Sequence, residues 1–284
     1  MNYEEMYKLD RASRAADAEE YETQIQELER THNSGRIETW WERFEKDRRT
    51  ELSFIDYFGF FYENIYRPFN WDRADWAWDL FERDVNTTRD FTQYWNDLQN
   101  TIYRPYNWDK ATQWFDNMQR DSNNTLDLID YFEAVRHDIY QPYNWDKAEQ
   151  WLDLMRNDRN NMSMNLPEYF TMVRNTIYSP YNWETAEKWS ERLSQDRFTD
   201  LSLGDYFQAV KSRIYQPYNW DVVDTWWTRY LQDRYTELSF PDYFDEVNQN
   251  VIRRKSLSAA DDLWSEYLGD RETTEPFYEW AQSH

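Results

Sequence analysis

The stretch Ile139–Trp151, IYQPYNWDKAEQW, returns almost unchanged as IYRPYNWDKATQW at Ile102–Trp114, IYSPYNWETAEKW at Ile177–Trp189 and IYQPYNWDVVDTW at Ile214–Trp226. Whether this string is a ligand site or a joint between repeated units decides the fold. Its proline cannot occupy a helix interior, because it lacks a backbone N–H and its ring clashes with the preceding turn. The Asn two residues on is a good helix N-cap, and the acid after the Trp sits in a first turn, where negative charge suits the helix dipole. In the copy capped by Asn107, the residues Trp108, Ala111, Phe115 and Met118 then recur at helical spacing, with Trp114 widening the stripe. The string therefore reads as a turn, a cap and the first core ring of a helix.

Working outward, the repeat is regular. Trp71, Trp108, Trp145, Trp183 and Trp220 lie 37, 37, 38 and 37 residues apart. Thirteen residues after each comes an acid: Asp84, Asp121, Asp158, Asp196 and Asp233, a series that Asp47 and Asp270 extend in both directions. Seven modules result. The second half of each opens on its own cap, as in ELSFIDYF from Glu51, DLSLGDYF from Asp200 and ELSFPDYF from Glu237, where Ser stands three residues before Asp; Asp127 and Asn165 take the Ser position elsewhere. Pro167 and Pro241 fall in the first turn, where proline is tolerated. Leu52, Ile55, Phe58, Phe61 and Ile65 carry the apolar stripe onward, as do Leu238, Phe244, Val247 and Val251, up to the IY before the proline.

Two helices of about thirteen residues, each roughly 20 Å long, fit such a module. Helices this short are marginal in isolation and bury their stripes only by stacking on neighbours. The expected fold is all-α: tandem helical hairpins of about 37 residues stacked as an α-solenoid, with a separate N-terminal helix. The expected organisation is residues 1–36 as an N-terminal docking or coiled-coil helix, 37–252 as the array, and 253–284 as a divergent capping module. In the N-terminal segment Ala18, Tyr21, Ile25 and Leu28 show heptad-like spacing, and Asn33, Ser34 and Gly35 are expected to end it. The period approaches that of tetratricopeptide repeats, but the small-residue positions of that consensus are missing.

Composition narrows the function. The chain has 284 residues, with 55 Asp and Glu against 32 Lys and Arg, a net charge of −23. Such a surface repels phosphate backbones and anionic lipid, so nucleic acid and membrane insertion are poor expectations, and a basic protein surface, a copy of the chain itself or a cation is a better one. There is no cysteine, which excludes thiolate chemistry and fits a reducing compartment, and no long apolar run is present. A cytoplasmic location is expected. The mean hydropathy of −1.12 would suggest disorder, yet 17 Trp, 23 Tyr and 16 Phe supply core material that hydropathy scales score as nearly polar.

Candidate residues fall in two sets. The structural-joint set is Trp71, Trp108, Trp145, Trp183 and Trp220 with Pro68, Pro105, Pro142, Pro180 and Pro217. Exposed rings beside Asn and Asp could instead grip a glycan, but a ring stripe at helical spacing belongs to a core. The second set, Asp47, Asp121, Asp158, Asp196 and Asp233, could collect calcium. QDRYTELSFPDYF looks like a shortened EF-hand loop, although it lacks the alternating oxygen ligands, the sixth-position Gly and the full length. An Arg follows Asp47, Asp158, Asp196, Asp233 and Asp270, which suits a helix C-terminus. His32, His137 and His284 occupy unrelated repeat positions, so no nucleophile-base set forms. No cofactor and no catalysis are expected; an acidic scaffold is the first reading, a cation-binding protein the second and a glycan-binding module the third.

Overall fold

A computed structural model describes residues 34–161 and 163–284; most of the expected N-terminal helix, and His32 with it, lies outside them. The described residues hold fourteen α-helices in successive hairpins and no strand, an all-α helical-repeat solenoid. The chain divides into two units, 1–136 and 137–284. The first carries three hairpins: α1 (Ser34–Lys46) with α2 (Phe54–Phe61), α3 (Trp71–Arg83) with α4 (Phe91–Leu98), and α5 (Trp108–Arg120) with α6 (Leu128–Val135). The second carries four: α7 (Trp145–Asn157) with α8 (Leu166–Val173), α9 (Trp183–Gln195) with α10 (Leu203–Val210), α11 (Trp220–Gln232) with α12 (Phe240–Val247), and α13 (Leu257–Gly269) with α14 (Phe277–Ser283).

The caps explain where these helices begin. Asn70, Asn107, Asn144, Asn182 and Asn219 each accept the backbone N–H three residues on, at 2.7–2.9 Å, opening α3, α5, α7, α9 and α11. Ser53, Asp90, Asp127, Asn165, Ser202 and Ser239 do the same for the second helices. At Asn165 the box closes in both directions, because Glu168 also accepts the Asn165 N–H at 3.1 Å. Ser34 and Gly35, expected to end the N-terminal segment, lie in α1, and the residues before them are outside the described ones.

In the first five modules the second helix reaches the IY through a feature the sequence does not announce. After eight α-helical residues the chain widens into five π-helical ones, as at Tyr62–Tyr66, Gln99–Tyr103, Arg174–Tyr178 and Lys211–Tyr215. Their marker is an N–H bonded five residues back, such as Ser179 to the Arg174 carbonyl at 2.8 Å and Gln216 to Lys211 at 2.9 Å. Such turns are rare and commonly mark a special site. Here they follow the second helix of the first six modules, and the first five end on a tyrosine that packs on the Trp opening the next helix, with ring centroids 4.3 Å apart for Tyr66–Trp71, 3.6 Å for Tyr103–Trp108, 4.0 Å for Tyr178–Trp183 and 4.2 Å for Tyr215–Trp220; the sixth, Asn248–Ile252, ends on an Ile before Leu257 opens α13.

The core is made of rings. Trp40, Trp114, Trp151, Trp189 and Trp226 are fully enclosed, together with the Tyr-Phe pairs of α2, α6, α8, α10 and α12 and the Tyr94-Trp95 pair of α4. The second-helix stripe is shifted from the expected one: in α2 the buried residues are Phe54, Tyr57, Phe58 and Phe61, followed by Ile65 in the π segment, while Ile55 is half-buried and Leu52 lies in the preceding loop. An Arg from one first helix lies between tryptophans of successive modules. The Arg43 guanidinium lies 4.6 Å from the Trp40 ring and 5.7 Å from Trp78; Arg192 does the same between Trp189 and Trp227, and Arg229 between Trp226 and Trp264. The same guanidiniums pair with an acid of the next module, at 2.8 Å for Arg43–Asp75 and 2.7 Å for both Arg192–Asp224 and Arg229–Asp261.

Candidate functional site

The acids at the helix turns form the most conspicuous row of potential chemistry. Asp47, Asp84, Asp121, Asp158, Asp196 and Asp233 are all buried, and each closes the first helix of its module. Burying a carboxylate is costly unless hydrogen bonds satisfy its oxygens. A repeated set of donors supplies most of them here, although Oδ1 of Asp84 is left without one. Asp196 accepts the Phe198 N–H of its own turn at 3.2 Å and the Tyr206 hydroxyl of its own second helix at 2.9 Å. From the next module it accepts the Tyr230 hydroxyl at 2.7 Å and the Phe240 N–H at 2.8 Å. Phe240 is the first residue of α12, and such a residue's N–H has no partner within its own helix.

The arrangement repeats along both units. Asp47 takes the Phe91 N–H at 2.8 Å, and Asp84 takes the Leu128 N–H at 2.8 Å with the Tyr94 hydroxyl at 3.1 Å. Asp121 takes the Tyr131 hydroxyl at 3.1 Å. Asp158 takes the Leu203 N–H and the Tyr169 hydroxyl, both at 3.0 Å, and Asp233 takes the Phe277 N–H and the Tyr267 hydroxyl, both at 2.9 Å. Asp270, in the last module, keeps only local donors and the Trp280 indole N–H at 2.9 Å. Burial outweighs the hydrogen bonds at Asp84 and pushes its carboxyl up to about 6, aided by the nearby Asp127 charge. Burial and the facing carboxylate also hold Tyr94, Tyr206 and Tyr243 well above the usual phenol range, so these hydroxyls stay protonated.

The tyrosine of this latch is the residue the sequence reading overlooked. It stands ten residues after the Asp in most modules, as in Asp84–Tyr94, Asp121–Tyr131 and Asp196–Tyr206, a spacing as regular as the Trp series. Among the Asp-Arg pairs, Arg159 donates to the Asp196 carbonyl of the next module at 2.9 Å.

The joint residues have their own geometry. Pro68, Pro105, Pro142, Pro180 and Pro217 are exposed, and Trp71, Trp108, Trp145, Trp183 and Trp220 are half-buried, whereas the Trp six residues later is enclosed in the α5, α7, α9 and α11 copies. Trp183 touches Tyr143 and Trp151 of the preceding module at 5.3 Å each, and Phe170 and Tyr178 of the connecting helix at 5.4 and 4.0 Å. Trp220 repeats this with Tyr181, Trp189, Phe207 and Tyr215. These rings lie at the rim of the core rather than inside it, wedged between neighbouring hairpins.

His137 is exposed beside Asp138, and His284 stacks on Trp280. Among the described residues, no cluster of three or more His, Asp or Glu is disposed to hold a metal ion, and no helix is long and apolar enough to cross a membrane. The chain matches no protein family, no curated protein and no solved structure.

The outer faces of the first helices carry exposed acids at a spacing of seven, which keeps them on one side of the helix. In the first unit these are Asp72 with Asp79 and Asp109 with Asp116; in the second, Asp146 with Asp153 and Glu184 with Glu191. Asp79 pairs with the exposed Arg83 at 3.0 Å and Asp153 with the half-buried Arg156 at 3.5 Å, each on its own helix, contacts of little energetic weight because both acids face water.

Proposed function

We propose that this chain is a non-enzymatic, cytoplasmic scaffold whose acidic helix faces dock basic protein surfaces. The observation that carries the reading is the division of labour among its carboxylates. Those at Asp158, Asp196 and Asp233 are occupied by hydroxyl and N–H donors from two modules, so a calcium ion at Asp196 would have to displace four of them. The exposed acids, one pair per first helix in the middle of the array, remain for a partner. A catalytic site would call for a few acids in distinct environments at one place, whereas these repeat with the module.

The test is a titration with a lysine-rich peptide as the basic probe. Binding is expected to be saturable and to weaken steeply as sodium chloride rises, because exposed charges are screened over about 8–10 Å near physiological ionic strength. Asp109→Asn, Asp116→Asn, Asp146→Asn and Asp153→Asn together should weaken it at least severalfold without moving the melting temperature much. Binding indifferent to both salt and these substitutions would end the reading.

A further inference from the structure

The turn edge of the C-terminal unit contradicts the acidic character of the rest of the chain. Five large apolar side chains stand exposed among the described residues, and four lie here: Phe198 at 48%, Leu231 at 50%, Tyr235 at 40% and Leu268 at 55%. Beside them Arg197, Arg234 and Arg271 recur 37 residues apart, exposed, and none of the three guanidiniums has an ion pair or hydrogen bond within the described residues. Arg192 and Arg229, only five residues before Arg197 and Arg234, are by contrast tied to carboxylates.

Two grooves separate the modules along this edge. One, of about 610 Å³, is lined by Arg197, Phe198, Tyr230, Leu231 and Arg234; the next, of about 890 Å³, by Leu231, Arg234, Tyr235, Leu268 and Arg271. The only acids in their walls are Asp233 and Asp270, which are occupied by hydrogen bonds to backbone N–H groups and to Tyr267 or Trp280. Exposed apolar side chains set in otherwise polar grooves, with free guanidiniums beside them, suit an occupant with an apolar stripe flanked by acids.

We propose that this edge docks residues 17–29 of a second copy of the chain, DAEEYETQIQELE. The stretch has six acids and no base, and it places Tyr21, Ile25 and Leu28 at the heptad-like spacing of one helix face. Thirteen residues in a helix would extend about 20 Å, which is the span of three guanidiniums carried on modules stacked about 10 Å apart. The contact is heterologous, since it joins the start of one chain to the end of another, and so it propagates from copy to copy. It uses none of the acids assigned to the basic partner, so either reading can fail alone.

Sedimentation of the full chain over a concentration series at low salt tests it, alongside a labelled peptide of residues 17–29. The mass is expected to rise with concentration. Arg197→Glu with Arg234→Glu, and separately Ile25→Asp with Leu28→Asp, should each weaken association about tenfold or more. The peptide should bind the wild-type chain and fail on the arginine variant. Helical circular dichroism and melting of the arginine variant should match wild type, because the substituted arginines are exposed. Association unchanged in both variants would overturn the proposal. So would equal binding by a scrambled peptide, or peptide binding to a chain that stays monomeric at every concentration.

Discussion

Asp196→Ala is expected to destabilise the protein by about 3–5 kcal/mol in denaturant unfolding, because it removes the acceptor for two hydroxyls and two backbone N–H groups from two modules. Each buried donor left without a partner costs about 1–3 kcal/mol, and the losses do not add fully because the side chains relax together. Tyr206→Phe removes one donor and keeps the ring, so about 1–2 kcal/mol is expected. The comparison that isolates the latch is Asp221→Ala, an exposed first-turn acid of α11, which should cost only about 0.3–1 kcal/mol. Equal effects at Asp196 and Asp221 would mean that the buried row does not join the modules.

The second large effect is expected at Trp226. Its ring is fully enclosed, with Phe244, Trp264 and Phe277 at 5.8–6.3 Å and the Arg229 guanidinium 4.5 Å away. Trp226→Ala should cost about 3–5 kcal/mol, in the range of buried aromatic truncations. Trp220→Ala removes an equally large ring from the rim, where water already reaches part of it, and about half that loss is expected. Denaturant titration of the two variants separates them, and a Trp220 variant as damaged as the Trp226 variant would place the decisive ring in the repeated PYNW string instead of six residues after it.

Much of this architecture is legible in the sequence because the determinants are local. Asn107, Ser202 and Ser239 announce helix starts through cap chemistry, and the interval from Trp108 to Asp121 sets a thirteen-residue helix. The π segments escape detection because an α-helix and its widened form share the same residue preferences; only the register shift that brings Tyr178 onto Trp183 distinguishes them. That shift also alters which ring is enclosed. Judged by phase alone, Trp183 looks like core, but the rim position follows from how the hairpins are offset, and Trp189 takes the interior.

The buried row was half legible. Its period and its place at a helix end could be read directly, and so could the Tyr ten residues on, had the two been considered together. The pairing with the next module could not, because Asp196 and Phe240 are 44 residues apart and only stacking brings them within 2.8 Å. The same limit applies to Arg229, whose place between Trp226 and Trp264 depends on a neighbour thirty-five residues away. Isolated Asp residues with intervening Ser and Thr resemble a calcium loop for just this reason: the sequence displays the oxygens and conceals the donors that occupy them.

The most direct test of the account compares melting temperatures in sodium chloride and in millimolar calcium at matched ionic strength. If the buried acids latch modules and the exposed ones form a diffuse charged face, both salts relieve the same self-repulsion, and the two shifts should be similar in size. A saturable rise specific to calcium, abolished by Asp196→Asn together with Asp233→Asn, would contradict it.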